Sequence, residues 1–343
     1  MSARNLSYFF IIAIASVFIL WIGKDFLIPL VFALFLWFIM KNIKLIINRI
    51  PLFGKWLPEW VKNIFSFLVI LIVINFVINL VYVNFKMLAN SIEDYTNKFD
   101  TIIQNLNNKF NVDVMATLIV YYEEIDLKSF FLSLFNYSTG IIGTIFIVFV
   151  YTIFIILEEP SFRSKLRKVF PQNYDFDETF KLLKKVDLSI AKYLGLKTLI
   201  CLLTGALSYL ALLLTGVDFP IFWAFIIFLF NYIPILGSYI ATFIPFVFSL
   251  LQFGSFGPAL LVLFSIGTIQ VVIGNFIDPK LMSNHVNLSP LVIILSLSFW
   301  GAIWGIIGMF LSVPLMIILV IAFSKIPRLR PIAIMMSKDG NLD

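Results

Sequence analysis

Asn231-Tyr232-Ile233-Pro234-Ile235-Leu236-Gly237-Ser238 and Trp300-Gly301-Ala302-Ile303-Trp304-Gly305-Ile306-Ile307-Gly308 interrupt the two longest uncharged stretches of the chain. No Asp, Glu, Lys or Arg occurs over 219–277 or over 281–324. Each interruption places helix-disrupting residues inside an apolar run: a proline, a glycine and polar side chains in the first, three glycines in the second. The first begins 11 residues after Pro220 and the second 10 after Pro290. Each proline-headed arm therefore rises about 15 Å at 1.5 Å per residue, roughly half the hydrocarbon thickness.

Outward from these breaks, an apolar run at 194–215 precedes the first arm and one at 258–275 precedes the second, so 193–324 has the form of an internal repeat. If each broken segment returns on the side it entered, the two hairpins open in opposite directions and form an inverted pair. Paired Gly/Pro-interrupted segments mark the substrate site of a transporter, because non-helical backbone is tolerated at that depth only when buried in protein or facing a wet cavity. The alternative is two kinked full spans. The models differ over the loop 276–289, with Lys280 and His285, which is cytoplasmic in the re-entrant case and external in the other.

Composition places the rest of the chain in the bilayer as well. Of 343 residues, 61% are hydrophobic, 39 are Phe and only 13% are charged, against roughly 25% charged in a soluble domain; mean hydropathy is +1.02. A soluble fold would leave much of that surface in water, which excludes soluble enzymes, secreted disulfide scaffolds and disordered chains. The single Cys201 permits no intrachain disulfide. The surplus of 25 Lys and Arg over 19 Asp and Glu is spread over alternating loops rather than gathered on one face, so the expected partner is the lipid bilayer and not nucleic acid.

Further apolar runs at 6–22, 26–40, 64–83 and 139–157 approach the length of about 20 residues needed for a crossing. The first lacks a small-residue cleavage site and is expected to be retained. The fold class is thus an all-α polytopic membrane protein of about eight transmembrane segments, with a C-terminal inverted repeat containing two broken or re-entrant helical hairpins. Basic residues are held on the cytoplasmic side. Loop 41–62 has five basic and one acidic residue, 84–137 four and seven, and 158–197 nine and six, so both termini are expected in the cytoplasm.

The chain divides into N-terminal transmembrane helices (1–83), an extracytoplasmic helical insert (84–137), a transmembrane helix (138–157), a cytoplasmic amphipathic segment (158–192), a transport core (193–324) and a cytoplasmic tail (325–343). In the insert, Phe85, Leu88, Ile92, Tyr95, Phe99, Ile102, Leu106 and Phe110 recur at steps of three and four, a helical stripe. It would pack against another subunit or against its own returning helix. In the amphipathic segment, Phe176, Phe180, Leu183, Val186 and Ile190 form one face among Lys181, Lys184, Lys185 and Lys192, the pattern of a helix lying in the headgroup layer.

The run Asn231 to Gly237, the stretch Asn275-Phe276-Ile277-Asp278-Pro279-Lys280, the entry Leu288-Ser289-Pro290-Leu291, and Gly305-Ile306-Ile307-Gly308 through Val313-Pro314 together resemble the autoinducer-2 exporter family, the PerM-type permeases. The resemblance covers nearly the whole chain and is strongest from about Lys192 to Phe323. It implies a multi-pass bacterial inner-membrane protein that forms homo-oligomers and exports small molecules; some members are credited with sodium/proton exchange. Leu236 stands where valine is more usual and Ser238 where proline is, which bears on ligand detail and not on fold.

Main-chain groups at the two breaks are candidate ligands for a polar solute or a sodium ion. The substrate-binding or gating set is Asn231, Tyr232, Pro234, Gly237 and Ser238 in the first break, Gln270, Asn275, Asp278 and Pro279 between the breaks, and Gly301, Gly305, Gly308 and Pro314 in the second. Oxygen ligation suits a hard cation, and amides and hydroxyls suit a neutral hydroxylated solute. The competing explanation is that the glycines permit close helix packing and the prolines kink their helices. Asp278 beside Pro279 is either a charged gate or a loop cap. A single histidine makes no metal site, and no nucleotide-binding, hydrolase or paired-cysteine motif occurs; the chain is expected to be no enzyme and to need no cofactor beyond sodium or proton as a coupling ion. Three functions remain: a secondary permease exporting a small polar solute, a sodium/proton antiporter, and a non-transporting membrane scaffold.

Overall fold

The computed structural model describes residues 3–49, 57–91, 94, 95, 98, 127–169, 176–282 and 287–342. Among them the secondary structure is entirely helical. The helices are α1 (Ala3–Ile22), α2 (Lys24–Arg49), α3 (Glu59–Asn90), α4 (Leu127–Val169), α5 (Phe176–Leu214), α6 (Pro220–Phe230) and α7 (Leu236–Phe253). Then follow α8 (Phe256–Val272), a π-helical turn (Ile273–Ile277), α9 (Asp278–Met282), α10 (Pro290–Lys325) and α11 (Arg330–Met336). Seven helical stretches of the described residues are long and apolar enough to cross a membrane. Large apolar side chains point outward, such as Ile72 at 68% and Leu214 at 86% exposure, the reverse of a water-soluble surface and the arrangement lipid requires.

Three helices outrun the bilayer. α3 has 32 residues, α4 43 and α5 39, which at 1.5 Å per residue is about 48, 65 and 59 Å against a hydrocarbon core of ~30 Å. The third span runs unbroken past residue 84 into the insert, as its lack of Gly and Pro implies. Pro160 does not end α4; beside it, the Ser161 hydroxyl donates to the Glu158 carbonyl at 3.0 Å. The amphipathic stretch from Phe176 is continuous with the following span as α5. Ile92, Phe99, Ile102, Leu106, Phe110 and His285 lie outside the described residues.

The contacts resolve into two compact units. One comprises Val69–Ile141 and Gly195–Met282. Its core gathers Leu88 and Tyr95 from the insert stripe with Leu212, Phe222, Trp223, Ile227, Ala241, Phe248, Val262 and Ile266. The described part of the stripe thus packs on α6 and α7, a partner that the periodicity did not identify. Trp223 meets Phe248 at a ring distance of 4.7 Å, Tyr95 meets the same Phe248 at 5.3 Å, and Phe85 meets Phe222 at 5.5 Å.

The other unit comprises Met1–Leu68, Ile142–Leu194 and Ser283–Asp343. Trp300, Ile303, Trp304 and Leu311 of α10 pack with Leu20 of α1 and Leu27, Ile28, Val31 and Phe35 of α2. The Trp304 indole N–H donates to the Leu20 carbonyl at 3.0 Å, satisfying a donor that apolar burial would otherwise strand. α2 and α4 meet through Phe26 on Tyr151 at 5.8 Å and through the Trp37 indole, which donates to Glu159 at 2.9 Å. Lys41 pairs with Asp187 of α5 at 2.5 Å.

Candidate functional site

α6 and α7 form an antiparallel hairpin. Trp223 near the start of α6 faces Phe248 near the end of α7, and the carbonyl of Phe230 at the end of α6 abuts Gly237 at the start of α7. A Cβ on Gly237 would lie 1.9 Å from that carbonyl oxygen, so no other residue fits the crossing. The mouth is tied shut. The Asp218 amide donates to the Gln252 side-chain oxygen at 2.7 Å, the Gln252 side-chain amide donates to the Gly216 carbonyl at 2.9 Å, and Lys98 donates to the Gln252 main-chain carbonyl at 2.8 Å. The Tyr95 hydroxyl donates to Asp218 at 2.9 Å. Burial, and secondarily that hydrogen bond, raise the Tyr95 phenol above the usual phenol range.

Five residues turn the hairpin. The amides of Tyr232 and Ile233 donate three residues back, to Leu229 (3.2 Å) and Phe230 (2.9 Å). The Leu236 amide donates to the Pro234 carbonyl at 2.7 Å across Ile235, which sits at φ 64, ψ −67. That is a γ-turn of the strained hand, held by a β-branched residue with positive φ. Asn231 donates its side-chain amide to the Ile227 carbonyl at 2.7 Å, and Ser238 its hydroxyl to the Ile235 carbonyl at 2.7 Å. The amides of Asn231, Tyr232, Ile233, Leu236 and Gly237 all donate within the tip, so the main-chain groups it can offer a ligand are chiefly oxygens.

The tip docks on α5. The Tyr232 hydroxyl donates to the Thr198 hydroxyl oxygen at 2.7 Å, and higher up Gly205 admits the backbone of α6 at Ala224. From Thr198 to the end of α5 at Leu214 is about 24 Å, and the 18 residues of α7 give about 27 Å. The returning arm is therefore long enough to pass through most of a ~30 Å core, longer than the half-thickness given by the spacing of Pro220 and the break.

Beside Thr198 lies the one strongly buried ion pair in this unit among the described residues. Lys197, with 9% of its side chain exposed, meets Asp278, with 26% exposed, at 3.0 Å. Asp278 immediately follows the π-helical turn containing Asn275. One extra residue in a turn rotates every later side chain by about 100° relative to an uninterrupted α-helix, and this register brings Asp278 to α5. Cys201, one turn beyond Lys197, is fully buried. Asn275 and Pro279 are exposed, whereas Gln270 is buried with its side-chain nitrogen lacking a hydrogen-bond partner among the described residues.

The second break reverses the chain at one residue. Gly305 takes φ 63, ψ −145 inside the otherwise continuous 36-residue α10. A Cβ on Gly308 would stand 1.9 Å from the Trp300 carbonyl oxygen, and one on Gly301 would stand 2.9 Å from the end of Met309. Residues eight apart along a straight helix are about 12 Å apart, so the arms before and after Gly305 fold back on each other. Pro314 is fully buried in the returning arm.

Of the sequence-predicted residues, the structure thus brings Tyr232 and Asp278 together on α5, while Asn231 and Ser238 shape the tip. Gly301, Gly305, Gly308 and Pro314 belong to the other unit. Two participants were missed. Lys197 counts in the sequence as one more loop cation, and its partner lies 81 residues away. Thr198 sits within an apolar helix with no local signal at all.

The model of the AI-2E family transporter matches residues 10–328. The AI-2 transport protein TqsA of Escherichia coli is 30% identical over 323 residues, covering 92% of this chain and 90% of its own. A Haemophilus influenzae protein named as a candidate transport protein is 32% identical over 278 residues, 79% of each chain. One of Borreliella burgdorferi, named likewise, is 30% identical over 249 residues, 72% of this chain and 68% of its own.

Proposed function

The chain belongs to the AI-2E family of transporters, and on that premise we propose that it is a secondary permease exporting a small polar solute by alternating access, gated at the tip of the α6–α7 hairpin. The observation carrying this reading is the convergence on α5 of a strained hairpin tip and a buried ion pair set by a π-helical turn. Strained backbone and π-bulges concentrate where a structure must change state. Withdrawing the tip would break the Tyr232–Thr198 hydrogen bond beside Lys197–Asp278 and open the path between these elements. With the tip's amides committed internally, it would meet the solute through carbonyl and hydroxyl oxygens, which suit hydroxyl donors or a cation and disfavour an anion. TqsA is named for AI-2, so AI-2 is the first solute to assay. The bacterial inner membrane, cytoplasmic termini and a homo-oligomeric assembly complete the proposal.

A sodium/proton antiporter is the second reading, favoured by Asp278: a carboxylate able to exchange Lys197 for another cation is the element such coupling needs. Proteoliposomes loaded with AI-2 separate the two. The permease reading expects AI-2 efflux that falls at least about tenfold in Lys197→Met and Asp278→Asn, equal to ~1.4 kcal/mol on the transport barrier. Sodium-driven proton movement without any solute, abolished by the same variants, would replace it with the antiporter. Unchanged efflux in both variants would remove the gate from α5.

A further inference from the structure

We propose that the cavity at the mouth of the α10 hairpin is a binding site for an anionic phospholipid. The space is about 600 Å³ and is bordered by Lys181, Lys184, Lys185 and Lys192. Their spacing puts all four along one side of α5. Among the described lining residues Asp339 is the only carboxylate, so the described part of the rim is net positive.

The facing wall is apolar. Leu288, just before the entering arm, and Ile317, Val320 and Ile321 of the returning arm line it. The apolar arm ends at Ser324 and Lys325, so the cavity straddles the level at which hydrocarbon-facing residues give way to charged ones. The tail forms another border: Lys185 donates to the Leu342 carbonyl at 3.0 Å, and the Asn287 side chain joins Asn341 and the Lys338 amide.

A ligand that satisfies both walls needs a phosphate for the lysines and a hydrocarbon chain for the aliphatic side. A free phosphate would use only the lysine rim and make no contact with the aliphatic wall. Basic residues at a membrane surface attract anionic headgroups, and here they are arranged around a volume rather than spread over a plane. The site is independent of the transport reading, and its test reads binding and not flux.

Native mass spectrometry of the full chain in detergent, with phosphatidylglycerol, phosphatidylcholine and inorganic phosphate as probes, tests this. The wild-type protein should retain phosphatidylglycerol over phosphatidylcholine by about tenfold. The triple variant Lys181→Gln/Lys184→Gln/Lys185→Gln changes only exposed side chains and should lose that preference. A count-matched control, Lys44→Gln/Lys165→Gln/Lys168→Gln, should keep it. Equal retention of the two lipids by wild type, or a preference undiminished in the first variant, overturns the site. Equal loss in both variants reduces it to overall charge and overturns it too. Displacement of phosphatidylglycerol by inorganic phosphate at matching concentrations would overturn the lipid assignment.

Discussion

The two hairpins solve one problem differently. In α6–α7 the reversal takes five residues, with side-chain caps from Asn231 and Ser238 and a γ-turn at Ile235. In α10 it takes Gly305 alone. Yet both tips share one feature: a glycine, Gly237 or Gly308, whose absent Cβ would sit 1.9 Å from a carbonyl oxygen of the opposite arm. What a sharp helical reversal requires is a bare backbone where the arms cross; the number of residues spent on the turn is free. The mouths differ as well. The first is laced by Gln252 to Gly216 and Asp218, while the second opens on a lysine-rimmed cavity.

The shared feature gives the largest expected effect. Gly237→Ala and Gly308→Ala should each cost about 3 kcal/mol or more, because the new methyl meets main chain and no rotamer relieves it. Gly143→Ala, whose Cβ would meet nothing within 4 Å, should be neutral or stabilising by up to about 1 kcal/mol in its helix. Thermal unfolding of the three variants in detergent checks the contrast. If either tip tolerates alanine as Gly143 does, the common crossing is not what holds the hairpins.

The difference between the tips predicts effects of opposite sign. Gly305 occupies a conformation essentially closed to other residues, with open space around it, so Gly305→Ala should cost about 1–3 kcal/mol through backbone strain alone. Ile235 is already strained and its side chain is about half exposed, at 49%. Ile235→Gly should therefore stabilise by about 1 kcal/mol, since relief of strain outweighs the little burial lost and the added freedom of the unfolded chain. A fall in melting temperature for Ile235→Gly would mean that the γ-turn is not under strain.

The breaks were legible in the sequence because they are local: Pro220 and Pro290 start arms, and Gly237, Gly305 and Gly308 mark where a side chain is forbidden. The unbroken run of α3 past residue 84 was legible for the converse reason. What could not be read was non-local or a matter of register. Lys197 looks like any juxtamembrane cation until Asp278 is placed beside it, and that placement depends on a π-helical turn for which Ile273 to Ile277 carries no compositional mark. Ile235 conceals its strain, since a β-branched residue at positive φ goes against every propensity. The lysines of α5 read as facing lipid headgroups; only the return of the tail to Asn287 and Lys185 shows that they surround a cavity.

The laced mouth yields the smallest effect and the one with a pH signature. Tyr95 is buried and donates to Asp218, whose own surroundings are exposed, so Tyr95→Phe should cost only about 1 kcal/mol near neutral pH, water replacing the lost donor. The folded phenol is held above its ordinary value, first by burial and then by the carboxylate beside it. As pH rises through about 10 the unfolded chain loses this proton first and then binds fewer protons than the folded state, so stability contributed by Tyr95 is present below that pH and lost above it. Unfolding midpoints of wild type and Tyr95→Phe, measured from pH 8 to 11, should converge at the alkaline end. A constant gap would show that the phenol ionises as readily in the folded chain as in the unfolded one, so that its contact with Asp218 adds nothing to the lacing made by Gln252 and Lys98.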